Sequence, residues 1–304
     1  MSRCGFASLV GRPNAGKSTL LNRIVGTKVA IVSDKPQTTR TRILAVKNIG
    51  DSQIVFVDTP GIHRPLHRLN VRMVDAAVET LREVDVVVLV FDASSKPGRG
   101  DEYVSGLLAG VKAPVILVLN KIDLIAKPRL LPLIEQAQRW HSFAAIVPVS
   151  AVTGDGIEQL EQALLVQLPE GDPIYPADFL TDQPERAIVA EMVREKVLQH
   201  TRAELPFSTA VIVDQFDESE RDSILRLYCT ILVERESQKP IVIGRGGEMI
   251  KTIGTEARRD LEQFFETRVF LDLRVKVNPD WRNNERVLDD LNVPKTARGT
   301  ARRG

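Results

Sequence analysis

The stretch that decides the fold is Gly11-Arg-Pro-Asn-Ala-Gly-Lys-Ser18. It fits the phosphate-loop pattern, in which two glycines frame four residues and a lysine and a hydroxyl residue follow. An apolar run at residues 6–10 precedes it and a helical pattern follows it, which is the context that this motif needs. Glycines let successive backbone N–H groups converge on phosphate oxygens, and the helix points its positive end at them. The alternative, a glycine-rich turn that merely caps a helix, is disfavoured by the low chance of a full match.

Three more motifs follow in the order and spacing of a GTPase, and the sequence resembles that superfamily. They are Asp58-Thr-Pro-Gly61, Asn120-Lys-Ile-Asp123 and Ser150-Ala151. Each follows an apolar run, and open α/β sheets bind ligands at the carboxyl ends of their strands. Asp123 can accept the N1–H and the exocyclic amino group of guanine, a donor pair that adenine lacks. A backbone N–H of Ser150-Ala151 would bind guanine O6. We therefore predict GTP and GDP as ligands, which disfavours a metabolic ATPase.

The predicted metal site combines hydroxyl and carboxylate oxygens. Ser18 would bind Mg²⁺ directly, and Asp58 would hold it through water. A loop threonine should contact Mg²⁺ and the γ-phosphate, and so close its loop only when GTP is bound. Similarity in the stretch Thr39-Arg40 favours Thr39, with two solvated loop threonines as the alternative. The predicted catalytic groups are the Thr39 hydroxyl, the Lys17 ammonium on the β- and γ-phosphates, the Gly61 N–H facing the γ-phosphate, and Asn14.

Ile62 occupies the position where many GTPases carry a glutamine that orients the attacking water. An isoleucine side chain cannot hydrogen-bond to water, so hydrolysis must use a backbone group or a partner instead. The sequence resembles GTPases with a hydrophobic residue here, several of which use K⁺ bound by an asparagine of the phosphate loop, and Asn14 matches that position. A bound K⁺ would supply part of the charge that an arginine finger supplies elsewhere. The alternative is that Asn14 only stabilises the loop. We expect slow hydrolysis that K⁺ stimulates.

The complete set of residues predicted to bind the nucleotide comes from these four motifs. Its members are Gly11, Arg12, Pro13, Asn14, Ala15, Gly16, Lys17, Ser18, Thr19, Asp58, Thr59, Pro60, Gly61, Ile62, Asn120, Lys121, Ile122, Asp123, Ser150 and Ala151.

The first half of the chain alternates short apolar runs with helical patterns, which predicts a doubly wound α/β domain over residues 1–168. The runs lack polar alternation, which is typical of a mostly parallel sheet buried on both faces. Residues 43–49 and 53–57 are joined by a short turn, so one edge strand is expected to be antiparallel. Four prolines at residues 169–184 indicate a semi-rigid linker.

The second half predicts a smaller α+β domain over residues 185–291, in the order α-β-β-α-α-β, and a basic tail at 292–304. Gly244-Arg-Gly-Gly247 has the form of a KH-type loop, whose glycines let a nucleic-acid backbone approach closely. About one such glycine pair is expected by chance in this composition, so the motif gains weight only from its context. An apolar run precedes it and a helix follows it. The predicted RNA-binding residues are Ile243, Gly244, Arg245, Gly246, Gly247, Lys251, Arg258 and Arg259.

The distribution of charge supports RNA binding only in the region next to the glycine loop. Residues 173–304 contain 21 Lys and Arg against 23 Asp and Glu, a net charge of −2. Basic residues nevertheless cluster beside the glycines, which favours an electrostatic footprint on one face. Aromatic residues make up only 5% of the chain, so an aliphatic groove rather than extensive stacking would read the bases. A domain that binds protein is the alternative.

Composition bounds the remaining possibilities. A length of 304 residues predicts two domains, and the net charge of +1 indicates no acidic partner by itself. The longest apolar stretches fall far short of the ~20 residues that a membrane-spanning helix needs. The two cysteines, Cys4 and Cys229, form no metal-ligand spacing. We therefore expect a cytoplasmic protein without disulfides, and exclude secreted, collagenous, transmembrane and wholly disordered classes.

Together, the GTPase motifs, the proline-punctuated linker and the KH-type domain resemble the Era family of bacterial ribosome-assembly GTPases. The similarity extends from Gly5 to about Leu291 and includes Lys35-Pro-Gln-Thr-Thr-Arg40. It implies binding to the small ribosomal subunit at 16S rRNA near its 3′ end, with GTP hydrolysis timing release during rRNA maturation. It also implies peripheral contact with the inner membrane, a link to cell-cycle control and a monomeric state. A signalling or cell-cycle GTPase whose second domain binds protein is the alternative.

Overall fold

The computed structural model describes residues 2–33, 39–40, 42–59, 69, 72–73, 79–96, 98–108, 110–139, 141–201, 205 and 208–291. The predictions for Pro60, Gly61, Ile62 and the tail 292–304 lie outside these residues.

The N-terminal domain is built on a six-stranded sheet in the order β2-β3-β1-β4-β5-β6. Its strands are β1 (Cys4–Val10), β2 (Ile43–Ile49), β3 (Ser52–Asp58), β4 (Val86–Asp92), β5 (Val115–Asn120) and β6 (Ala145–Pro148). Its helices are α1 (Lys17–Val25), α2 (Arg99–Leu108), α3 (Leu130–Ala137) and α4 (Ile157–Gln167). Only β2 runs antiparallel to its neighbour, and the other pairs are parallel. The predicted mostly parallel sheet with one antiparallel edge is confirmed.

Strand β4 shows why the apolar runs lack polar alternation. Its alternate residues face two different cores, one containing Val86, Val88 and Val90 and the other containing Val87, Leu89 and Phe91. Because helices cover both faces of the sheet, both sets of side chains must be apolar. The sheet interior is therefore dry, and polar groups gather where the strands end.

The C-terminal domain begins with the predicted element order and ends with an additional short helix. It consists of α5 (Glu185–His200), β7 (Ala210–Asp217), β8 (Leu225–Val233), α6 (Lys239–Ile243), α7 (Glu248–Phe265), β9 (Val269–Val277) and α8 (Glu285–Asp290). The three strands form one sheet in sequence order, with β7 antiparallel and β9 parallel to β8. Helices α5 and α7 pack on the sheet around one apolar core, to which they contribute Val193 and Ala257.

The linker at residues 169–184 is packed along the edge of the N-terminal sheet. The N–H of Val46 in β2 donates to Leu180 O at 3.0 Å, and Thr181 Oγ1 donates to Leu44 O at 2.6 Å. The buried Gln53 accepts the N–H groups of Ile174 and Tyr175 at 2.8 and 2.9 Å. The linker is therefore anchored by polar contacts to the sheet edge.

Candidate functional site

The phosphate loop joins β1 to α1 and surrounds a buried ammonium group. Lys17 is only 6% exposed, and its Nζ donates to Gly11 O at 3.2 Å and Arg12 O at 3.1 Å. Burial lowers the pKa of Lys17, and the nearby Asp58 carboxylate partly opposes that shift. Gly16 has φ +91°, and a Cβ there would lie 2.3 Å from Asn120 Nδ2. The loop therefore requires glycine at 16 and holds a desolvated cation where phosphate would bind.

The three predicted metal ligands converge at one point. Ser18 Oγ lies 2.8 Å from Thr39 Oγ1 and donates to Asp58 Oδ2 at 3.0 Å, and Thr39 Oγ1 also lies 3.3 Å from that oxygen. Asp58 is fully buried, and burial raises its pKa to about 6. Its Oδ1 has no hydrogen-bond partner among the described residues. Hydroxyl and carboxylate oxygens are the donors that Mg²⁺ prefers, and this set fits it.

The remaining loop residues divide into those that line the nucleotide cavity and those that do not. Pro13, Asn14 and Thr19 line it, and Asn14 is exposed with a left-handed backbone, φ +63°. The Arg12 side chain instead pairs with Asp101 at 3.0 Å, so only its backbone faces the site. Thr59 is fully buried and donates to the carbonyl of β1 residue Leu9. This hydrogen bond links the carboxyl ends of β1 and β3.

Asn120 joins the phosphate loop to the motif predicted to bind the base. It is 1% exposed, its Nδ2 donates to Ala15 O at 2.9 Å, and its Oδ1 accepts the N–H of Ala151 at 3.1 Å. Asp123, in the 3₁₀ turn after β5, is exposed and accepts no hydrogen bond from the described residues. Its carboxylate is thus available to a base that lies across this surface. Ile122 is half-buried in the same turn.

The two N–H groups predicted to reach guanine O6 already have partners within the protein. Ser150 N–H donates to Asp155 O at 2.9 Å, and Ala151 N–H donates to the Asn120 side chain at 3.1 Å. A guanine oxygen here must therefore share the Ala151 donor with Asn120. The O6 contact stays a prediction.

Asp92 is a residue of the site that the sequence reasoning missed. Lys121 has a left-handed backbone, φ +66°, and its Nζ lies 2.6 Å from Asp92 Oδ2 at the end of β4. This ion pair fixes the lysine next to Asn120. Asp92 could have been found from the sequence, because it is an acidic residue at the end of an otherwise apolar strand.

In the second domain, the glycine loop between α6 and α7 exposes bare backbone. Gly244 has φ +76°, and a Cβ there would lie 2.6 Å from the Cβ of Met249, so no other residue fits. Gly246 and Gly247 also have positive φ, but open space lies where a Cβ would be. Arg245 beside them is exposed, and Ile243 is half-buried. The loop therefore offers unobstructed backbone to a close partner.

A groove with an apolar floor and a basic rim lies between α7 and β9, and its lining includes Ile250 and Lys251 in the first turn of α7, directly after this loop. The spacing of Lys251, Gly254, Thr255 and Arg258 places them on one face of α7, and Phe270 of β9 is 46% exposed. Arg259 is exposed but is not among the lining residues. The groove is lined by Ile224, Ile250, Lys251, Gly254, Thr255, Arg258, Val269, Phe270, Leu271 and Leu273.

Among the described residues, no helix has the length and apolar character needed to cross a membrane.

Comparisons with known proteins agree with both sites. A family model described as a 50S ribosome-binding GTPase matches residues 6–121, and a KH-domain model matches residues 204–282. The GTPase Era of Geotalea daltonii is 50% identical over 287 residues, covering 94% of this chain and 96% of that protein. That of Geotalea uraniireducens is 51% identical over 289 residues, covering 95% and 97%.

Two solved structures are similar over almost the whole chain. A variant of Aquifex aeolicus Era bound to GDP·AlF4⁻ has a TM-score of 0.93 and 41% identity, covering 96% of this chain and all of that one. An Era complex with MgGDPNP and nucleotides 1506–1542 of 16S ribosomal RNA has a TM-score of 0.94 and 41% identity, covering 97% and 100%. With such similarity across both domains, this chain belongs to the Era family and is a GTPase.

Proposed function

We propose that the chain is a Mg²⁺-dependent GTPase that binds single-stranded RNA of the small ribosomal subunit and acts in its assembly. The observation that carries the RNA-binding part is the bare backbone of Gly246 and Gly247, directly before the helix that lines an aliphatic groove. The similar Era structure that contains 16S rRNA nucleotides supports the choice of RNA.

Ser18, Thr39 and Asp58 would hold Mg²⁺, and Lys17 would contact the β- and γ-phosphates. The ion neutralises charge on the phosphate oxygens as the terminal bond breaks. Because Thr39 reaches the metal from a separate loop, its hydroxyl is the group that can distinguish GTP from GDP. The structure describes it beside Ser18 and Asp58, the arrangement expected for the closed loop.

The groove suits unpaired bases. Its floor of Leu271, Leu273 and Ile250 gives apolar surface for base faces, and Lys251 and Arg258 lie where a phosphate backbone would pass. Sequence-specific RNA recognition targets single strands because their bases can be splayed onto such surfaces. The exposed Phe270 is the one aromatic side chain lining the groove, so stacking contributes at one position only.

The RNA-binding proposal is tested by affinity for a single-stranded RNA with the sequence of the 16S 3′ end, at one fixed salt concentration. We expect Gly246→Asp to abolish binding, because a carboxylate then occupies the open space and repels phosphate, and Arg258→Glu to weaken it strongly. Arg274→Glu is the matched control, since Arg274 carries the same charge on β9 but lies outside the groove. Equal losses in Arg258→Glu and Arg274→Glu would contradict the groove assignment.

A protein partner is the second candidate, and the net charge of −2 over residues 173–304 is the observation that favours it. The two differ in salt dependence. RNA binding releases condensed counterions, so log affinity should fall linearly with log salt. A shallow, non-linear dependence together with no preference for RNA over a polyanion such as heparin would favour the protein partner.

We also propose that K⁺ stimulates hydrolysis through Asn14. Asn14 lines the phosphate cavity with a left-handed backbone, which supports the assignment. Turnover should be faster in KCl than in NaCl at equal ionic strength, and Asn14→Ala should remove the difference while keeping most GTP affinity. Equal turnover of the unmodified protein in both salts would rule out the K⁺ role.

The further implications of the family resemblance stay predictions: the position near the 16S 3′ end, peripheral contact with the inner membrane, a link to cell-cycle control, a cytoplasmic location and a monomeric state. Cell fractionation tests the membrane contact and the cytoplasmic location, and sedimentation of the full chain tests the monomeric state.

A further inference from the structure

Thr39 and its neighbour Arg40 connect the two domains. Thr39 lies at the metal site, whereas Arg40 is buried in the C-terminal domain, with 4% of its surface exposed. Arg40 Nη1 donates to Thr209 O at 2.9 Å, and its guanidinium lies over the Trp281 ring, 5.3 Å from the centroid. Two consecutive residues therefore contact the candidate γ-phosphate site and the KH-type domain.

Trp281 also lies where the segment after the Asp58 motif meets the C-terminal domain. It is fully buried, and its Nε1 donates to Ser208 O at 2.9 Å. Leu69 and Met73 of that segment belong to the same apolar cluster as Trp281. Arg72 between them pairs with Glu285 and Asp289 of α8. Both nucleotide-proximal segments thus dock on one patch of the KH-type domain.

The other end of the Thr39 loop is anchored to the KH-type domain as well. Lys28 Nζ lies 2.5 Å from Glu195 of α5 and 2.8 Å from Asp260 of α7, the helix that borders the RNA groove. The N–H of Val32 donates to Glu195 Oε1 at 3.2 Å. Val32 and Arg40, on either side of residues 34–38, thus both contact the C-terminal domain.

The docked position of Arg40 is only partly satisfied. Among the described residues, its Nε and Nη2 have no hydrogen-bond partner, although both atoms are buried. Burial, reinforced by the nearby Arg194, lowers the pKa of Arg40 to about 9. Burial of the charged guanidinium opposes docking, while the aromatic face and the Thr209 carbonyl favour it. Because these contributions oppose each other, a small change in the position of Thr39 can shift Arg40 between docked and undocked positions.

We propose that Arg40 is a positioning residue: docked on Trp281, it holds Thr39 at the metal site, so that the KH-type domain and the bound nucleotide control each other through this pair. Linkage requires that the effect be reciprocal. The inference rests on the proposed Mg²⁺–GTP site and does not depend on RNA as the partner of the groove.

Trp281 offers a direct probe, because the chain contains only one other tryptophan, Trp140. In a full-length Trp140→Phe background, acrylamide quenching of Trp281 is measured with Mg²⁺ plus GDP and with Mg²⁺ plus a non-hydrolysable GTP analogue. We expect less quenching with the GTP analogue, because Thr39 then holds Arg40 over the ring. Arg40→Ala should remove the difference, and Arg40→Lys should restore part of it. Arg42→Ala, an exposed arginine in the same stretch, is the matched control.

Steady-state GTP hydrolysis gives a second readout, because a purely structural role of Arg40 would not lower kcat while leaving KM unchanged. Arg40→Ala should lower kcat roughly tenfold through a misplaced Thr39, with little change in KM, and Arg42→Ala should match the parent.

A direct titration with fluorescent GDP distinguishes the possible failures. If the parent does not bind the nucleotide, the proposed function is wrong. If Arg40→Ala binds it and keeps both the quenching difference and the parent kcat, the positioning role is wrong. Should Arg40→Ala fail to fold, Trp281→Phe with the kcat readout decides between the same outcomes.

Discussion

The two binding regions of the molecule are built in opposite ways. At the nucleotide site the decisive side chains are buried: Lys17, Asp58 and Asn120 are 6, 0 and 1% exposed. In the KH-type domain, the groups expected to contact RNA are exposed side chains and the bare backbone of the glycine loop. Electrostatic interactions are strong where water is excluded and weak where it is not. Single substitutions should therefore have large effects at the first site and graded effects at the second.

Base recognition should show the largest effect of a single residue: Asp123 is itself exposed, but a guanine bound across it would exclude water from its hydrogen bonds. Asp123→Asn replaces an acceptor by a donor opposite the guanine N1–H, so two charge-assisted hydrogen bonds are lost. At about 1.5–3 kcal/mol each, GTP affinity should fall roughly 10²- to 10⁴-fold. Competition binding against xanthosine triphosphate measures it, and the variant should prefer the xanthosine nucleotide. Retained preference for GTP would refute the assigned guanine contact.

The groove region should respond most strongly to a change of backbone shape. Gly244→Ala introduces a Cβ 2.6 Å from Met249 Cβ in a backbone conformation, φ 76° and ψ 172°, that essentially only glycine adopts, whereas Gly246→Ala meets the milder strain of a left-handed backbone in open space. We expect Gly244→Ala to destabilise the domain by about 2–4 kcal/mol and Gly246→Ala by about 1–2 kcal/mol. Urea unfolding of the two variants side by side tests this. Equal destabilisation would show that crowding against Met249 does not constrain the loop.

The same contrast explains what the sequence could predict. The buried strands were predictable because two covered faces force apolar residues at every position, as in β4. The phosphate-loop and base motifs were predictable because each requires one residue type at one spacing. The glycine loop was predictable only from the apolar run before it and the helix after it. A loop that works through exposed backbone requires only a pair of glycines, and such a pair is common by chance.

Contacts between separate parts of the chain were not predictable in this way. The docking of the linker on β2 and β3 depends on backbone groups of β2 and on the Gln53 amide of β3, which carry no periodic pattern. No sequence pattern links Arg40 or Lys28 to its partners, because those partners lie about 170 or more positions away in the sequence. Only the folded arrangement of the two domains brings these groups together.

Asp58 should show how burial at the nucleotide site affects stability. With its pKa raised to about 6, the folded protein binds a proton more readily than the unfolded chain, so its contribution to stability falls as pH rises from about 4 to 6. Without nucleotide and Mg²⁺, Asp58→Asn should thus gain about 1–3 kcal/mol relative to the parent between pH 4 and pH 7. Denaturant unfolding in EDTA at both pH values gives this difference. A pH-independent difference would mean that burial does not disfavour the charged carboxylate.

The smallest expected effects are those of single basic residues at the RNA groove, and they complete the contrast with the buried site. Each phosphate contact on a single strand contributes about 0.7 to the slope of log affinity against log salt. Lys251→Ala and Arg258→Ala should each lower that slope by about this amount and weaken RNA binding by a few-fold, because both residues line the groove and neither is desolvated. Arg259→Ala removes the same kind of charge one residue away but outside the lining, so its slope should equal that of the parent. Titrations of a 3′-end RNA at several KCl concentrations separate the three variants. A uniform loss in all three would mean that the RNA responds to the overall charge of α7 and not to a path along the groove.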